Sequence, residues 1–238
     1  MRTTSNRRPA TMRAWWALLP ALFLAALPLA AQEAPPKVGF IRLINAVAPG
    51  TGNAHLEIDG EDQYPKGYKL GQRTGGIGLL AGSKKVTVKR DGAETGTTSV
   101  TVGVGETVSL IAFAEKVPAK DDEPEKWEIK ILRLKQRDAE SGYRLTVISV
   151  NRDPETLFAL AREGVEEKEA SSVKRLRTTT IDLGKQAGDI GIFLRNAETP
   201  LTLFRPDAAG NYVVVLYDDV DGSVKAVSYY DPKFVIAG

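Results

Sequence analysis

The chain contains no cysteine, one histidine and two methionines among its 238 residues. Without cysteine it has no disulfide, no thiolate metal ligand and no thiol nucleophile. One histidine without cysteine cannot furnish a typical zinc ligand set. A Ser-His-Asp hydrolase would have to use His55 as its base, because that mechanism needs a group titrating near neutral pH. His55 stands before Leu56-Glu57-Ile58 at an expected strand start, and no Gly-x-Ser-x-Gly elbow occurs in the chain, so it reads as a solvent-facing residue at a loop end. A basic stripe is missing too. The 32 Lys and Arg are interspersed with 30 Asp and Glu, as where Lys84-Lys85 face Asp91 and Glu94, which removes nucleic acid as a partner class. The apolar run Ala14 to Leu29 falls short of the roughly 20 residues of a membrane span.

What that run does resemble is an export signal. Arg2, Arg7, Arg8 and Arg13 precede it, and Leu29-Ala30-Ala31-Gln32 supplies small residues at its end, the layout of a secretory leader over 1–31. The working chain then begins near Gln32, periplasmic or secreted, with no membrane insertion after cleavage. Both methionines, Met1 and Met12, leave with the leader. Losing its arginines turns the formal charge from +2 to about −2. An exported chain without disulfides is held by its core alone, and this length permits one.

Past Pro35-Pro36 the pattern is of short strands. Phe40–Ile44, Leu56–Gly60, Lys84–Arg90, Thr98–Val102, Glu106–Ala114 and Trp127–Leu134 form one set. Tyr143–Val150, Leu176–Leu183, Ile190–Leu194, Leu201–Phe204, Tyr212–Tyr217 and Val224–Tyr230 form a second. Short β-branched runs with glycine punctuation predict an all-β fold of two consecutive antiparallel β-sandwich domains, 37–135 and 143–238. Arg42-Leu43-Ile44-Asn45, a turn and Leu56-Glu57-Ile58 parallel Ile148-Ser149-Val150-Asn151, a turn and Phe158-Ala159-Leu160, which reads as a degenerate tandem repeat. The boundary is expected in 135–142, and Pro118–Pro124 is expected as a solvated hairpin loop. Segment 153–164 reads two ways. Asp153-Pro154-Glu155 supplies a helix cap, while the repeat favours a strand. Glu166–Ser172 is polar and expected as loop.

Three features invite chemistry. Asp218, Asp219 and Asp221 beside Gly222 could gather oxygen ligands for calcium, though the spacing is not that of an EF-hand, and Asp-Gly between strands is also turn chemistry. Gly71, Gly75, Gly76, Gly78 and Gly82 invite a phosphate loop, but the Gly-Lys-Ser/Thr ending is absent, so a flexible strand-edge loop is expected. Trp127, Tyr64, Tyr68, Tyr229 and Tyr230 could stack on a glycan or meet a partner. Adjacent Tyr229 and Tyr230 point to opposite faces of a strand, so one is core and the other exposed.

The opening strand with Arg42, Leu43, Ile44 and Asn45, then Ile58-Asp59-Gly60, then Leu79-Leu80-Ala81-Gly82 before Val86-Thr87-Val88, carries a resemblance. It is similar to the periplasmic accessory protein of alginate O-acetylation (AlgF type) and to a bacterial surface sandwich repeat of unknown function. The second half departs from that pattern at Leu160-Ala161-Arg162 and Asn151-Arg152-Asp153-Pro154. The resemblance implies a non-catalytic role, assisting modification of an exported polysaccharide in contact with other envelope proteins. Taken together, the residues suggest an exported binding or assembly module without a cofactor, whose partner is an envelope protein or a polysaccharide. Two alternatives stand beside it: a carboxylate-based enzyme acting on exported polysaccharide, and a calcium-stabilised structural module.

Overall fold

The computed structural model describes residues 37–238 except 121–122, 135, 138–141, 185–187, 233 and 236–238. The leader expected at 1–31 and most of the boundary expected in 135–142 lie outside the described residues. The first half runs β1 (Val38–Ala46), β2 (Thr51–Ile58), β3 (Glu61–Asp62), β4 (Ile77–Leu80) and β5 (Gly82–Asp91). It continues through β6 (Ala93–Val102), β7 (Thr107–Val117) and β8 (Lys126–Leu134), with the short β9 (Gln136–Arg137) after it. The second half runs β10 (Tyr143–Ser149), β11 (Glu155–Arg162), β12 (Glu169–Lys174), β13 (Thr178–Gly184) and β14 (Ile190–Leu194). Then come β15 (Thr202–Phe204), β16 (Gly210–Asp218), β17 (Val224–Asp231) and β18 (Phe234–Val235), which pairs back onto β9. No helix occurs among the described residues.

The two halves repeat one topology. In the first, β4-β1-β7-β8 forms one sheet and β3-β2-β5-β6 the other, joined by a single bridge between Glu94 and Glu128. In the second, β13-β10-β16-β17 and β12-β11-β14-β15 reproduce both orders strand for strand. The pairing register repeats as well: Ile44 faces Ile111, and Ile148 faces Val215, at equal sequence separation. The sandwich and the repeat are therefore as expected, with one correction. The sheets are mixed rather than antiparallel, because β1 pairs parallel with β7 and β10 parallel with β16. A first strand and a seventh strand of the same direction become neighbours because four of the intervening strands lie in the other sheet and the fourth strand of each repeat pairs on the far side of the first.

Each sandwich has its own core. Ile41, Leu43, Leu56, Val86, Val88 and Leu110 fill the first, and Leu145, Val147, Phe158, Leu160, Ile192 and Val214 the second. A third core lies between the sandwiches. Ile44, Ala46, Ile111, Phe113 and Leu134 of the first half meet Ile148, Val150, Val213, Val215, Tyr217 and Tyr229 of the second. Equivalent sheets of the two repeats thus pack outer face to outer face, giving four layers. The inner two are apolar on both sides, so β16 is buried from Gly210 through Tyr217. That explains why Tyr212-Val213-Val214-Val215-Leu216-Tyr217 does not alternate.

Segment 155–162 is a strand, β11, as the repeat favours. The loop expected at Glu166–Ser172 is corrected: β12 begins at Glu169. It pairs only with β11 at a sheet edge, and in its six residues only Val173 is buried, so its sequence looks like loop. The glycine-rich stretch is also partly strand. Ile77–Leu80 pairs with β1, and the Phe40 ring lies over Gly76 and Gly78. His55 lies inside β2 rather than at its start. The hairpin expected around Pro118–Pro124 joins β7 to β8.

Candidate functional site

At one end of the seam between the repeats lies a cleft of about 170 Å³. Its floor is small and apolar: Ala46, Ala48 and Pro49 where β1 ends, Ala114 of β7, and Val150 after β10. One wall is Trp127, half-buried at the start of β8. It stands opposite Lys116 of β7, whose Nζ lies 6.0 Å from the indole ring centre. The hairpin from Asp218 to Gly222 completes the lining, with Arg152 beside it. Both repeats are needed to build the cleft, because floor and Trp127 come mainly from the first and the hairpin and Arg152 from the second.

The hairpin holds its carboxylates in place through its own backbone. Asp219 Oδ1 accepts from the Val220 amide at 2.8 Å, and Asp221 Oδ1 accepts from the Ser223 amide at 2.8 Å. The Gly222 amide donates to the Asp219 carbonyl at 2.9 Å, with Gly222 at a φ of +81° that a side chain resists. Asp218 Oδ2 accepts from the Arg152 amide at 2.9 Å and pairs with its Nε at 3.3 Å. Arg152 also lies against Gly222, where an added Cβ would come within 2.4 Å of Nη2. Burial pushes the Asp218 carboxyl above its usual range, against the pull of the Arg152 guanidinium. The hydrogen bonds to Ser223 hold Asp221 below it.

Asp218, Asp219 and Asp221, expected as metal ligands, are thus brought to the cleft, each with one oxygen engaged by an amide of Arg152 or of the turn, and Asp219 Oδ2 lies 3.9 Å from Lys225 Nζ. Among the described residues no three Asp, Glu or His side chains converge as a metal cage would require. Trp127 is in the cleft as an accessible aromatic. Tyr229 is not, a correction to its expected contact role. It is 4% exposed in the core between the repeats, with Arg42 and Arg73 against its ring at 5.1 and 5.7 Å. Tyr230, on the opposite face of β17, is 38% exposed and packs 5.3 Å from Tyr212 at the far end of β16. Tyr64 and Tyr68 pair with each other in the first sandwich at 5.4 Å, so the five aromatics form no common platform. His55 Nδ1 meets Asp62 Oδ2 at 3.2 Å on the surface.

Arg152 is the site residue that the sequence reading passed over. It lies in Asn151-Arg152-Asp153-Pro154, the segment that departs from the resemblance, and the pairing with Asp218 needs the fold. Beyond Trp127 the surface changes sign. A second cleft shares Ala114, Trp127 and Arg152 and gathers Lys116, Lys130 and Arg175 around one acid, Glu115.

Fold and site together define a protein of two repeated β-sandwiches packed through equivalent sheets, with a mixed aromatic and charged cleft at their seam. No protein-family model matches the chain, and no curated protein matches its sequence. Among solved structures it aligns with a Bacteroides ovatus protein provisionally described as an adhesin, at 10% identity over 84% of this chain and 95% of that one. The TM-score is 0.18, too low for the likeness to carry an argument. None of these comparisons supports the resemblance to the alginate O-acetylation accessory type.

Proposed function

We propose that the chain is an exported, non-catalytic binding or assembly module of the bacterial envelope, accessory to exopolysaccharide modification. Its contact surface is the Trp127 cleft, engaging a polysaccharide or another envelope protein. The observation that carries this reading is an accessible tryptophan in a cleft that neither repeat builds alone. Aromatic and arginine side chains at the centre of a recessed surface are the residue types that dominate binding energy. Within this cleft the arrangement of the acids speaks against the enzymatic alternative. Glycoside hydrolysis needs two carboxyls facing each other across the scissile bond, whereas Asp218, Asp219 and Asp221 of this cleft all sit on one hairpin.

The test is a pull-down of the tagged chain from its own envelope fraction, beside the Trp127→Ala variant, followed by mass spectrometry and sugar analysis. Recovery of polysaccharide-modification proteins or of polysaccharide by wild type, and its loss with the variant, is the expected result. Release of reducing ends from envelope polysaccharide by the purified protein would overturn the non-catalytic reading.

A further inference from the structure

The cleft's chemistry is more specific than "a binding surface". Trp127 brings an indole ring to the lining, the floor is made of alanine, proline and valine, and the hairpin with Arg152 brings carboxylate oxygens and a guanidinium. The volume is below the roughly 300–1,000 Å³ of pockets that take drug-sized ligands, and suits one ring-sized group. An aromatic face beside paired planar donors and acceptors matches a pyranose. Its C–H face is apolar, and its ring-edge hydroxyls both donate and accept. Asp219 and Asp221 each commit one oxygen to a turn amide, carboxylates carry two, and the second oxygen of Asp219 lies 3.9 Å from Lys225 Nζ.

The sign of the wall then selects among sugars. Three carboxylates and one guanidinium line the cleft, and that guanidinium is already paired with Asp218. Two further cations lie outside the lining and each already has a carboxylate, Lys225 beside Asp219 at 3.9 Å and Lys116 beside Glu125 at 2.8 Å. A uronate seated there would therefore meet like charge at Asp221 with no unpaired cation of the lining to offset it. A protonated amine would meet attraction, since an opposite charge within a few ångströms of a shielded surface is favoured. We propose that the Trp127 cleft seats a pyranose ring of an amino sugar, stacked on Trp127 with its ammonium toward Asp219 and Asp221. This inference rests on the binding-module reading and adds the ligand class. It also sets this chain apart from what the alginate resemblance implies, because the seat disfavours a polyuronate.

Residues 36–238 form a compact unit of their own, and Trp127 is the only tryptophan after Trp15 and Trp16, so the chain from Gln32 onward carries one indole fluorophore, in the cleft, beside seven tyrosines that selective excitation of tryptophan leaves dark. Three probes of equal length separate the outcomes: glucosamine trisaccharide, cellotriose and trigalacturonate, titrated while following Trp127 emission and, in parallel, heat. Expected is saturable binding of glucosamine trisaccharide with a change in Trp127 emission, weaker binding of cellotriose and none of trigalacturonate. Trp127→Ala, followed by heat, should lose at least tenfold in affinity. Asp219→Asn with Asp221→Asn, on an exposed hairpin, should lose the preference for glucosamine over cellotriose while the melting temperature stays. Trigalacturonate binding as tightly as glucosamine trisaccharide would overturn the proposal. So would failure of all three sugars to bind, an outcome the pull-down separates from failure of the binding-module reading, since envelope proteins could still be recovered.

Discussion

Arg42 of β1 and Asp231 at the end of β17, 189 residues apart in the chain, form an ion pair across the seam with Nη1 3.4 Å from Oδ2. Their side chains are 14% and 3% exposed. Arg42 also lies over the Tyr229 ring, so the pair is set into the core that joins the repeats. Breaking such a pair from one side leaves a buried charge uncompensated, at about 3–5 kcal/mol. Asp231→Ala should lower unfolding free energy by that order in denaturant titration. A loss within experimental error would mean that the seam is wet and the repeats only loosely apposed.

Asn45 tests the repeat motif at its first copy. It is fully buried, its Nδ2 donates to the Tyr68 carbonyl at 2.9 Å, and its Oδ1 accepts from the Val47 amide at 3.1 Å. Asn45→Ala leaves a buried donor unsatisfied, at about 1–3 kcal/mol. Chemical denaturation should show the loss, and amide exchange should accelerate at Val47 ahead of its neighbours.

Gly71 provides a coupling test of the seam. Its φ is +75°, and an added Cβ would lie 2.1 Å from the Tyr217 hydroxyl of the other repeat. Gly71→Ala should destabilise by more than the roughly 1–2 kcal/mol of a left-handed residue, because the clash adds to the strain. In a Tyr217→Phe background the cost should fall by at least about 0.5 kcal/mol, the lower range for contacting sites. Strict additivity in the double-mutant cycle would contradict the packing described.

Asp218 makes stability pH-dependent in an unusual direction. Its carboxyl is raised above the ordinary 3.8 by burial, so the folded state holds its proton more tightly than the unfolded state does. Its contribution is fully present below the unfolded value and is lost as pH rises through the raised folded value. Asp218→Asn should remove that loss, so its stability relative to wild type should climb across the weakly acidic range. A wild-type-minus-variant difference that is flat with pH would contradict the assignment.

Much of this was legible in the chain. The strand runs, the Asp-Gly turns and the repeat from Asn45 to Asn151 all report local geometry, which sequence carries directly. What stayed hidden depends on partners distant in sequence. The double-sided burial of β7 and β16 was visible only as missing alternation in Val108–Phe113 and Val213–Tyr217, a pattern that equally suits an ordinary core strand. Tyr229 and Tyr230 were separable as inward and outward, yet which was which depended on the first sandwich packing over the Tyr229 face. Edge strand β12 was lost because an edge needs little apolar sequence. Trp127 and Asp218–Asp221 were singled out apart, and only the packing of the two repeats brings them into the lining of one cleft.

The most direct test of the account is iodide quenching of Trp127 in the chain from Gln32 onward, with and without polysaccharide extracted from its own envelope. The account predicts measurable quenching in the free protein, saturable protection as polysaccharide is added, and no chain cleavage over the titration. Polysaccharide that binds while leaving Trp127 as open to iodide as before would contradict it.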